Sequence, residues 1–440
     1  MNGWIRRLIL GVFLLSTATH ASGKYVWDID PRIDWSAYTG FSTGLSIQAY
    51  SAAGDHSLVA MNSQVTDVYE NSERVVRVWY WNSEFKLWET PQDMPVYLVK
   101  DSQAPESEEF GMSISIDGAR IAVGAPDWDN NRGAVYVFER SENGDWRATT
   151  RIEEQSRGFG RVELQGDLMV VGSLEPGNQP VYVYRFAHDR WTKEAELHGD
   201  TAYMGFGRSL DIDGNRIAVG SHYENAAYIY RYNRGAWELE QKLISLVSEG
   251  YFGTSLDLEG DRLVIGAPGG ESSGASNRKG AVYVYQRNAN GWNEVTTVVP
   301  ANDYQVSDLF GYSAQISPDG FIAVGAPGVG CANEERCSVD GAVYLFQEVG
   351  GAKWRQVVHV ATAGAGDNVQ LRGRHLWTSG GTMLSDYVFD IKDPVEKGKG
   401  STGQPPGSSA GGGSGGGGSV SFVFLLVSLL FAGYRGERAL

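Results

Sequence analysis

The sequence predicts an all-β fold, a seven-bladed β-propeller built from four-stranded antiparallel blades. Three observations predict it: five similar segments recur about every 50 residues, each contains four short strands, and two weaker copies flank them. One such segment cannot bury its own apolar face, so its neighbours must cover that face. The segments therefore form one domain, predicted over residues 22–392. The five clear copies open at Phe110, Phe159, Phe206, Phe252 and Phe310.

Each copy has the same order of elements. Phe-Gly opens a first strand, a tight turn follows, and a second strand ends in Val-Gly or Ile-Gly. A loop, called here the 2–3 loop, leads to an alternating aromatic strand such as AVYVF at 134–138, and a Trp marks the fourth strand. The turns after the first strands contain Gly and Asp, as hairpins require. They are Asp117-Gly118, Gly166-Asp167, Asp213-Gly214, Gly260-Asp261 and Asp319-Gly320.

Two weaker copies complete the predicted seven blades. The first begins at residue 45, and the second covers 369–391. The second copy has no fourth strand of its own, because Pro394 and a glycine-rich stretch follow it. We expect the N-terminal segment YVWDID, at 25–30, to pair as the outer strand of this last blade. Closing the ring in this way removes exposed sheet edges.

The repeats resemble the FG-GAP β-propeller family, which includes the head of integrin α chains. Calcium-binding members of that family carry an Asp-x-Asp-x-Asp-Gly loop between the first two strands. The two-residue turns of this chain cannot supply the six to eight oxygens that calcium takes. No cofactor is therefore expected, and calcium is not supported at these turns. The remaining calcium candidate is the stretch DWDNN at 127–131, which lacks a terminal carboxylate and is not repeated elsewhere.

The N-terminus has the features of a secretory signal peptide. Arg6 and Arg7 precede an apolar run at 8–15, and Ala21 ends a small-residue cleavage site. We therefore expect residues 1–21 to be removed and the domain to be exported. Residues 393–419 form a linker rich in Gly, Ser and Pro, a composition that is flexible and cannot form a core.

The C-terminal segment, 420–440, contains a short apolar run followed by arginines. With the glycine-rich stretch before it, this segment resembles the GlyGly-CTERM sorting tails of Gram-negative bacteria. The resemblance implies cleavage by the intramembrane protease rhombosortase and passage through type II secretion to the cell surface or medium. A permanent C-terminal membrane anchor is the alternative, with Arg435 at the membrane surface. Both alternatives place the domain outside the inner membrane.

Cysteines and charge limit the other possibilities. Cys331 and Cys337 lie in one 2–3 loop, where an exported protein is expected to form a local disulfide, whereas zinc would need about four ligands. The net charge of −16 argues against binding to nucleic acid. No zinc-protease helix, Gly-x-Ser-x-Gly elbow or phosphate-binding glycine loop is present in the sequence.

Residues repeated in every copy are interpreted as packing, so candidate ligand contacts are those in the 2–3 loops that break the repeat. These candidates are Asp127, Trp128, Asp129, His222, Tyr223, Glu271, Arg278, Glu334 and Arg336. The simpler interpretation is that their charges are only solvated.

The leading hypothesis is a non-enzymatic binding or adhesion module that takes a protein or glycan ligand on its 2–3 loops. The alternative is an extracellular hydrolase or lyase whose acids, from several blades, meet at the axial channel. A purely structural module of a surface complex is the third possibility. A buried acidic cluster at the channel would favour the enzyme.

Overall fold

The computed structural model describes residues 25–28, 46–53, 56–66, 72–82, 87–89, 110–144, 146–175, 177, 179–200, 205–245, 250–269, 280–301, 308–329, 340–350, 352–363, 365–372, 375–380 and 383–391. The predicted signal peptide, the linker and the C-terminal segment lie outside these ranges. Within them, no helix is long and apolar enough to cross a membrane.

Seven antiparallel sheets of four strands each occur in the described part of the chain. Strand β1 is Tyr25–Asp28. Sheet I contains β2 (Ser46–Ala53), β3 (His56–Thr66), β4 (Ser72–Asn82) and β5 (Leu87–Glu89). Sheet II contains β6 (Ser113–Asp117), β7 (Arg120–Ala125), β8 (Ala134–Arg140) and β9 (Trp146–Ile152). Sheet III contains β10 (Phe159–Gln165), β11 (Leu168–Ser173), β12 (Val181–Ala187) and β13 (Arg190–Leu197).

The remaining sheets follow the same order. Sheet IV contains β14 (Phe206–Asp213), β15 (Arg216–Ser221), β16 (Ala226–Asn233) and β17 (Ala236–Ile244). Sheet V contains β18 (Ser255–Glu259), β19 (Arg262–Ala267), β20 (Ala281–Asn288) and β21 (Gly291–Val298). Sheet VI contains β22 (Ser313–Ile316), β23 (Phe321–Ala326), β24 (Asp340–Glu348) and β25 (Trp354–Ala363). Sheet VII contains β26 (Asn368–Arg372), β27 (His375–Gly380), β28 (Met383–Ile391) and β1.

The N-terminal strand β1 lies at the outer edge of sheet VII, as expected from the sequence. It pairs antiparallel with β28, with Tyr25 opposite Ile391 and Asp28 opposite Val388. The first strands of successive sheets lie beside one another from β2 to β26, and β26 in turn neighbours β2. This all-β arrangement is consistent with the blades of a β-propeller. Helical residues in the described ranges are few: α1 (Trp128–Asn131) and the 3-10 turn His222–Glu224 lie in 2–3 loops, and the 3-10 residue Asp308 precedes the first strand of sheet VI.

The first hairpins of sheets II and IV turn one residue later than predicted, and in sheet IV Asp213 is opposite Arg216. Asp117 is opposite Arg120, so the turn begins at Gly118, whose φ of 57° is left-handed. Asp117 is therefore the last strand residue, and its carboxylate is available to the next sheet, where Oδ2 accepts the Gly166 N–H at 2.6 Å. The equivalent bond from sheet V to sheet IV runs from Gly260 N–H to Asp213 Oδ2, at 2.6 Å. The turn acids thus join neighbouring sheets.

The hydrophobic core lies between neighbouring sheets, as a single repeat requires. One buried cluster, for example, joins Val135 and Val137 of sheet II to Phe159 and Val171 of sheet III. Each opening Phe also meets the first Tyr of the third strand edge-to-face, a favoured aromatic geometry. The pairs are Phe110–Tyr136, Phe159–Tyr182, Phe206–Tyr228, Phe252–Tyr283 and Phe310–Tyr344, with ring centroids 5.2–5.5 Å apart. The repeated aromatics are packing residues, as interpreted.

The repeated glycines bring the backbones of neighbouring sheets into contact. A Cβ placed on Gly172, at the end of β11, would lie 2.1 Å from the carbonyl oxygen of Gly207 in the next sheet. The same contact recurs at four other glycines, with separations of 1.8–2.2 Å: Gly124 on Gly160, Gly220 on Gly253, Gly266 on Gly311, and Gly325 on Gly366. We call these contacts the glycine band. They explain why both the Phe-Gly and the Val-Gly glycines repeat.

Candidate functional site

A polar cavity of about 730 Å³ lies along the first strands of sheets II to VII. Its walls carry serine, carboxylate and amide side chains from these strands, together with residues of the 2–3 loops. Its volume is in the range of small-molecule sites. The cavity lies where the first strands of neighbouring sheets meet, and its side chains decide what it can bind.

A series of polar side chains on the cavity wall joins each first strand to the next. The backbone N–H of the following strand donates to a side-chain oxygen of the preceding one. The described bonds are Leu164 N–H to Ser115 at 3.0 Å, Leu258 N–H to Asp211, Ile316 N–H to Asp257 at 2.7 Å, and Leu371 N–H to Gln315 at 2.6 Å. These bonds give the wall acids a structural role, because they satisfy strand edges that would otherwise lack partners.

Sheet III departs from this series at Glu163. The matching N–H in sheet IV, that of Ile212, donates instead to Asp211 Oδ1 at 2.8 Å. Glu163 Oε2 accepts the Ser115 hydroxyl at 3.2 Å, and its Oε1 lies 3.5 Å from Arg161 Nη2. Glu163 thus contacts Ser115 of sheet II and Arg161 of its own strand, and it also lines the cavity.

The wall acids interact electrostatically. Burial raises the pKa of Asp211 well above its usual value, and the charges of Asp257 and Glu163 raise it further. The N–H groups of Leu258 and Ile212 act in the opposite direction. Carboxyl groups from three sheets thus converge on the cavity, as the enzyme alternative predicted.

The mouth of the cavity carries a group of three aromatic rings, His222, Tyr223 and Tyr251, which we call the aromatic rim. His222 and Tyr223 come from the 2–3 loop of sheet IV, and their ring centroids are 4.1 Å apart. Tyr251 lies 5.9 Å from Tyr223 in an edge-to-face arrangement. Tyr223 is 49% exposed, whereas His222 is 7% exposed. The rim therefore offers one accessible ring held by two others.

His222 is neutral at pH 7. Burial, and to a smaller extent the nearby Arg208 charge, lower its pKa to about 4, although a backbone hydrogen bond with Gly205 acts in the opposite direction. A neutral imidazole in this position supports Tyr223 by packing and adds no charge to the mouth.

Tyr251 is held in a strained backbone conformation. Its φ of 53° lies in the left-handed region, which costs a residue with a side chain about 1–2 kcal/mol. In sheets III and IV the residue before Phe-Gly is also left-handed, but it is glycine, Gly158 or Gly205. Leu309, in sheet VI, shares both the left-handed φ, at 55°, and a place on the cavity wall. Strain that places a ring at a cavity mouth is typical of functional sites.

Two arginines line the wall below the rim. Arg161 and Arg208 both follow Phe-Gly directly, on β10 and β14, where the other clear copies have Met112, Thr254 or Tyr312. Arg208 is exposed, and no residue of the described ranges forms an ion pair or hydrogen bond with its guanidinium group. Arg161 Nε is buried and has no hydrogen-bond partner in the same part of the chain.

The structure separates the predicted contact residues into three groups. His222 and Tyr223 line the cavity. Trp128 instead packs against the core of sheet II with Arg151 4.9 Å from its ring, and Asp129 pairs with Arg132 at 3.0 Å. Asp127 precedes Trp128 and is not part of the cavity wall. Four residues, and the predicted disulfide, lie outside the described ranges: Glu271, Arg278, Glu334, Arg336, and the pair Cys331 and Cys337.

Sequence reasoning missed the wall residues Arg161, Glu163, Arg208, Asp211 and Asp257. A signal was present, because charged residues alternate with apolar ones along the first strands, as in VELQ at 162–165 and LDID at 210–213. The first strand of each blade lines the axis of a propeller, so its polar face was the place to search. Across the described ranges, no group of three or more His, Cys, Asp or Glu is placed to hold a metal ion.

Solved structures of similar shape come from Bacteroides. One, a candidate 6-phosphogluconolactonase from Bacteroides fragilis NCTC 9343, superimposes with a TM-score of 0.50 and 12% identity, covering 82% of this chain and 97% of that protein. A candidate 6-phosphogluconolactonase from Bacteroides uniformis ATCC 8492 gives a TM-score of 0.48 and 12% identity, covering 77% and 98%. A likeness at this identity concerns the fold alone. A search of curated protein sequences finds no match.

The family model described as FG-GAP repeat matches two segments, residues 100–138 and 237–285. The first contains the opening Phe-Gly, both strands and the aromatic strand of sheet II, and the second runs from β17 through sheet V to β20. Both segments thus contain the glycine and aromatic positions described above. The chain therefore carries repeats of the FG-GAP family, as their sequence pattern indicated.

Proposed function

We propose that this chain is a non-enzymatic binding module that takes the end of a glycan into the mouth of its cavity. The observation that carries the proposal is the aromatic rim, in which a strained Tyr251 and a buried His222 hold an exposed Tyr223 over a polar cavity. Sugar rings present an apolar face that packs on an aromatic ring and hydroxyl groups that bond to carboxylates and amides. The aromatic rim offers the ring, and the cavity wall offers the carboxylates and amides.

A binding function also agrees with the bonding of the wall acids. Asp211 and Asp257 accept N–H groups of neighbouring strands, so part of their hydrogen-bonding capacity is used in the fold itself. A fixed acceptor suits a site that orients hydroxyl groups.

The second candidate is a hydrolase or lyase that acts in the same cavity. The raised pKa of Asp211 favours it, because a raised pKa makes a carboxyl group better able to act as a general acid. Glu163, which lines the same cavity, would be the second carboxylate. Turnover of a bound glycan, lost in Glu163→Gln while binding is kept, would establish this function in place of simple binding.

Replacing Tyr223 by alanine should weaken glycan binding at least tenfold, because the rim loses its accessible ring. The measurement is a glycan array with the full chain, followed by calorimetric titration of each ligand found. Leu239→Ala is the matched control, since Leu239 is similarly exposed, at 47%, but lies on β17 away from the cavity. Equal affinity of the two variants, or no glycan bound by the unaltered chain, would contradict the proposal.

We further propose that the seven sheets close into a seven-bladed ring. The pairing of β1 with β28 and the neighbouring positions of β26 and β2 support closure. In this ring the 2–3 loops and the cavity mouth share one face, which is the adhesive surface proposed from the sequence.

Export and processing are proposed from the two ends of the sequence. Cleavage after Ala21 and removal of the segment 420–440 would release the module to the cell surface or medium. We expect the intact mass of the protein recovered outside the cell to lack both segments. A mass that includes Leu440 would instead indicate a retained anchor.

A further inference from the structure

We propose that the glycan bound in the cavity is acidic, and that Arg161 and Arg208 bind its single-charge anionic group, a carboxylate or a sulfate ester. This inference rests on the proposed binding function and goes further, because it names the chemical class of the ligand.

Arg161 and Arg208 have unused hydrogen-bonding capacity. Arg208 is exposed on the cavity wall and is not paired with any described residue, and Arg161 keeps a buried Nε without a partner. The nearest acid to Arg161, Glu163, lies at 3.5 Å, longer than a good charge-assisted hydrogen bond. The exposed guanidinium group of Arg208 is the donor that an oxyanion of the ligand can reach, in the bidentate geometry that arginine offers to oxyanions.

Arg161 and Arg208 lie at matching positions of two neighbouring sheets. Both arginines occupy the same place in two consecutive repeats, so one wall of the cavity, formed by sheets III and IV, carries two adjacent cations. The same repeat position holds neutral residues in the other clear copies, so packing within the repeat does not require arginine there. Tyr223 and His222 of the aromatic rim belong to sheet IV as well, which places the ring surface and the cationic wall side by side.

The acids of the cavity limit the negative charge that a ligand can carry. Glu163 and Asp257 face the same cavity, so a doubly charged phosphate ester would meet repulsion from them. A group with one negative charge can bind the arginines and meets less repulsion from these carboxylates. The neighbouring hydroxyl groups of the sugar donate hydrogen bonds to the carboxylates. A sugar with a carboxylate or sulfate group can therefore interact with the arginines and with the carboxylates of the cavity.

The test compares two kinds of charged saccharide with an uncharged one. The full chain is titrated with a tetrasaccharide of galacturonic acid, with its methyl ester, and with a sulfated neutral tetrasaccharide. We expect the free acid or the sulfated sugar to bind at least tenfold more tightly than the methyl ester, and this preference to fall as salt is raised. The better of the two charged ligands identifies the anionic group.

The variant Arg208→Gln should weaken the charged ligand roughly tenfold and leave the methyl ester unchanged. Arg231→Gln is the control, since Arg231 is an exposed arginine of β16 outside the cavity. If the ester and the acid bind equally and Arg208→Gln changes neither, the acidic ligand is excluded while glycan binding stands. If no saccharide binds, the proposed function itself fails, and with it this inference.

Discussion

Replacing Gly172 by alanine should lower the free energy of unfolding by about 3 kcal/mol, the upper part of the range for overpacked cores. The new Cβ would lie 2.1 Å from the carbonyl oxygen of Gly207, and the three nearest atoms are all backbone atoms of that residue. A side chain could rotate away, but a backbone flanked by two sheets cannot. The alanine must therefore push sheets III and IV apart. Chemical denaturation measures the loss.

Gly214→Ala is the matched control for this experiment. Gly214 sits in a hairpin turn with a φ of 56°, and nothing lies within 4 Å of an added Cβ. Its replacement costs only backbone strain, about 1 kcal/mol. An equal loss of stability in the two variants would show that contact between the sheets does not limit position 172.

Asp211→Asn should flatten the dependence of stability on pH above about 4, the ordinary pKa of an aspartate. The pKa of Asp211 is raised in the folded protein, first by burial and then by Asp257 and Glu163. Between the ordinary pKa of an aspartate, about 3.9, and the raised value, the folded state holds more protons than the unfolded state. The free energy of unfolding therefore falls as pH rises through that interval. Asparagine cannot ionise, so its variant should lose this fall, on the order of 1 kcal/mol.

The comparison with Asp211→Ala separates charge from hydrogen bonding. Asparagine keeps one oxygen to accept the Leu258 N–H, whereas alanine leaves that donor without its partner. The alanine variant should be less stable than the asparagine variant at every pH, by about 1–3 kcal/mol. Thermal or urea unfolding over the pH range provides the data. Parallel pH profiles of the unaltered chain and Asp211→Asn would contradict the electrostatic argument.

The repeated part of this fold was predicted well from the sequence, because every repeat encodes the same packing contacts. Phe-Gly, Val-Gly and the third-strand Tyr recur for geometric reasons, and their spacing was enough to locate the strands of sheets II to VI. The turn at Asp117 was displaced by one residue, because this aspartate bonds to the neighbouring sheet. A contact between repeats leaves no trace in the local turn pattern.

The candidate site was predicted only in part. His222 and Tyr223 were found because they interrupt the repeat within a variable loop. Arg161 and Arg208 lie next to Phe-Gly, inside the repeated motif, so a search restricted to loops passed over them. The left-handed backbone of Tyr251 could not be expected, because a tyrosine carries no local signal for a positive φ.

The glycine band also restricts how this protein can change. At five junctions between neighbouring sheets backbone meets backbone, so main-chain atoms set the spacing of those sheets and an added side chain has no room there. Related chains that keep these glycines should keep the same spacing. New ligand specificities would then come from exchanging side chains on the cavity wall, one strand at a time, while the spacing between sheets stays the same.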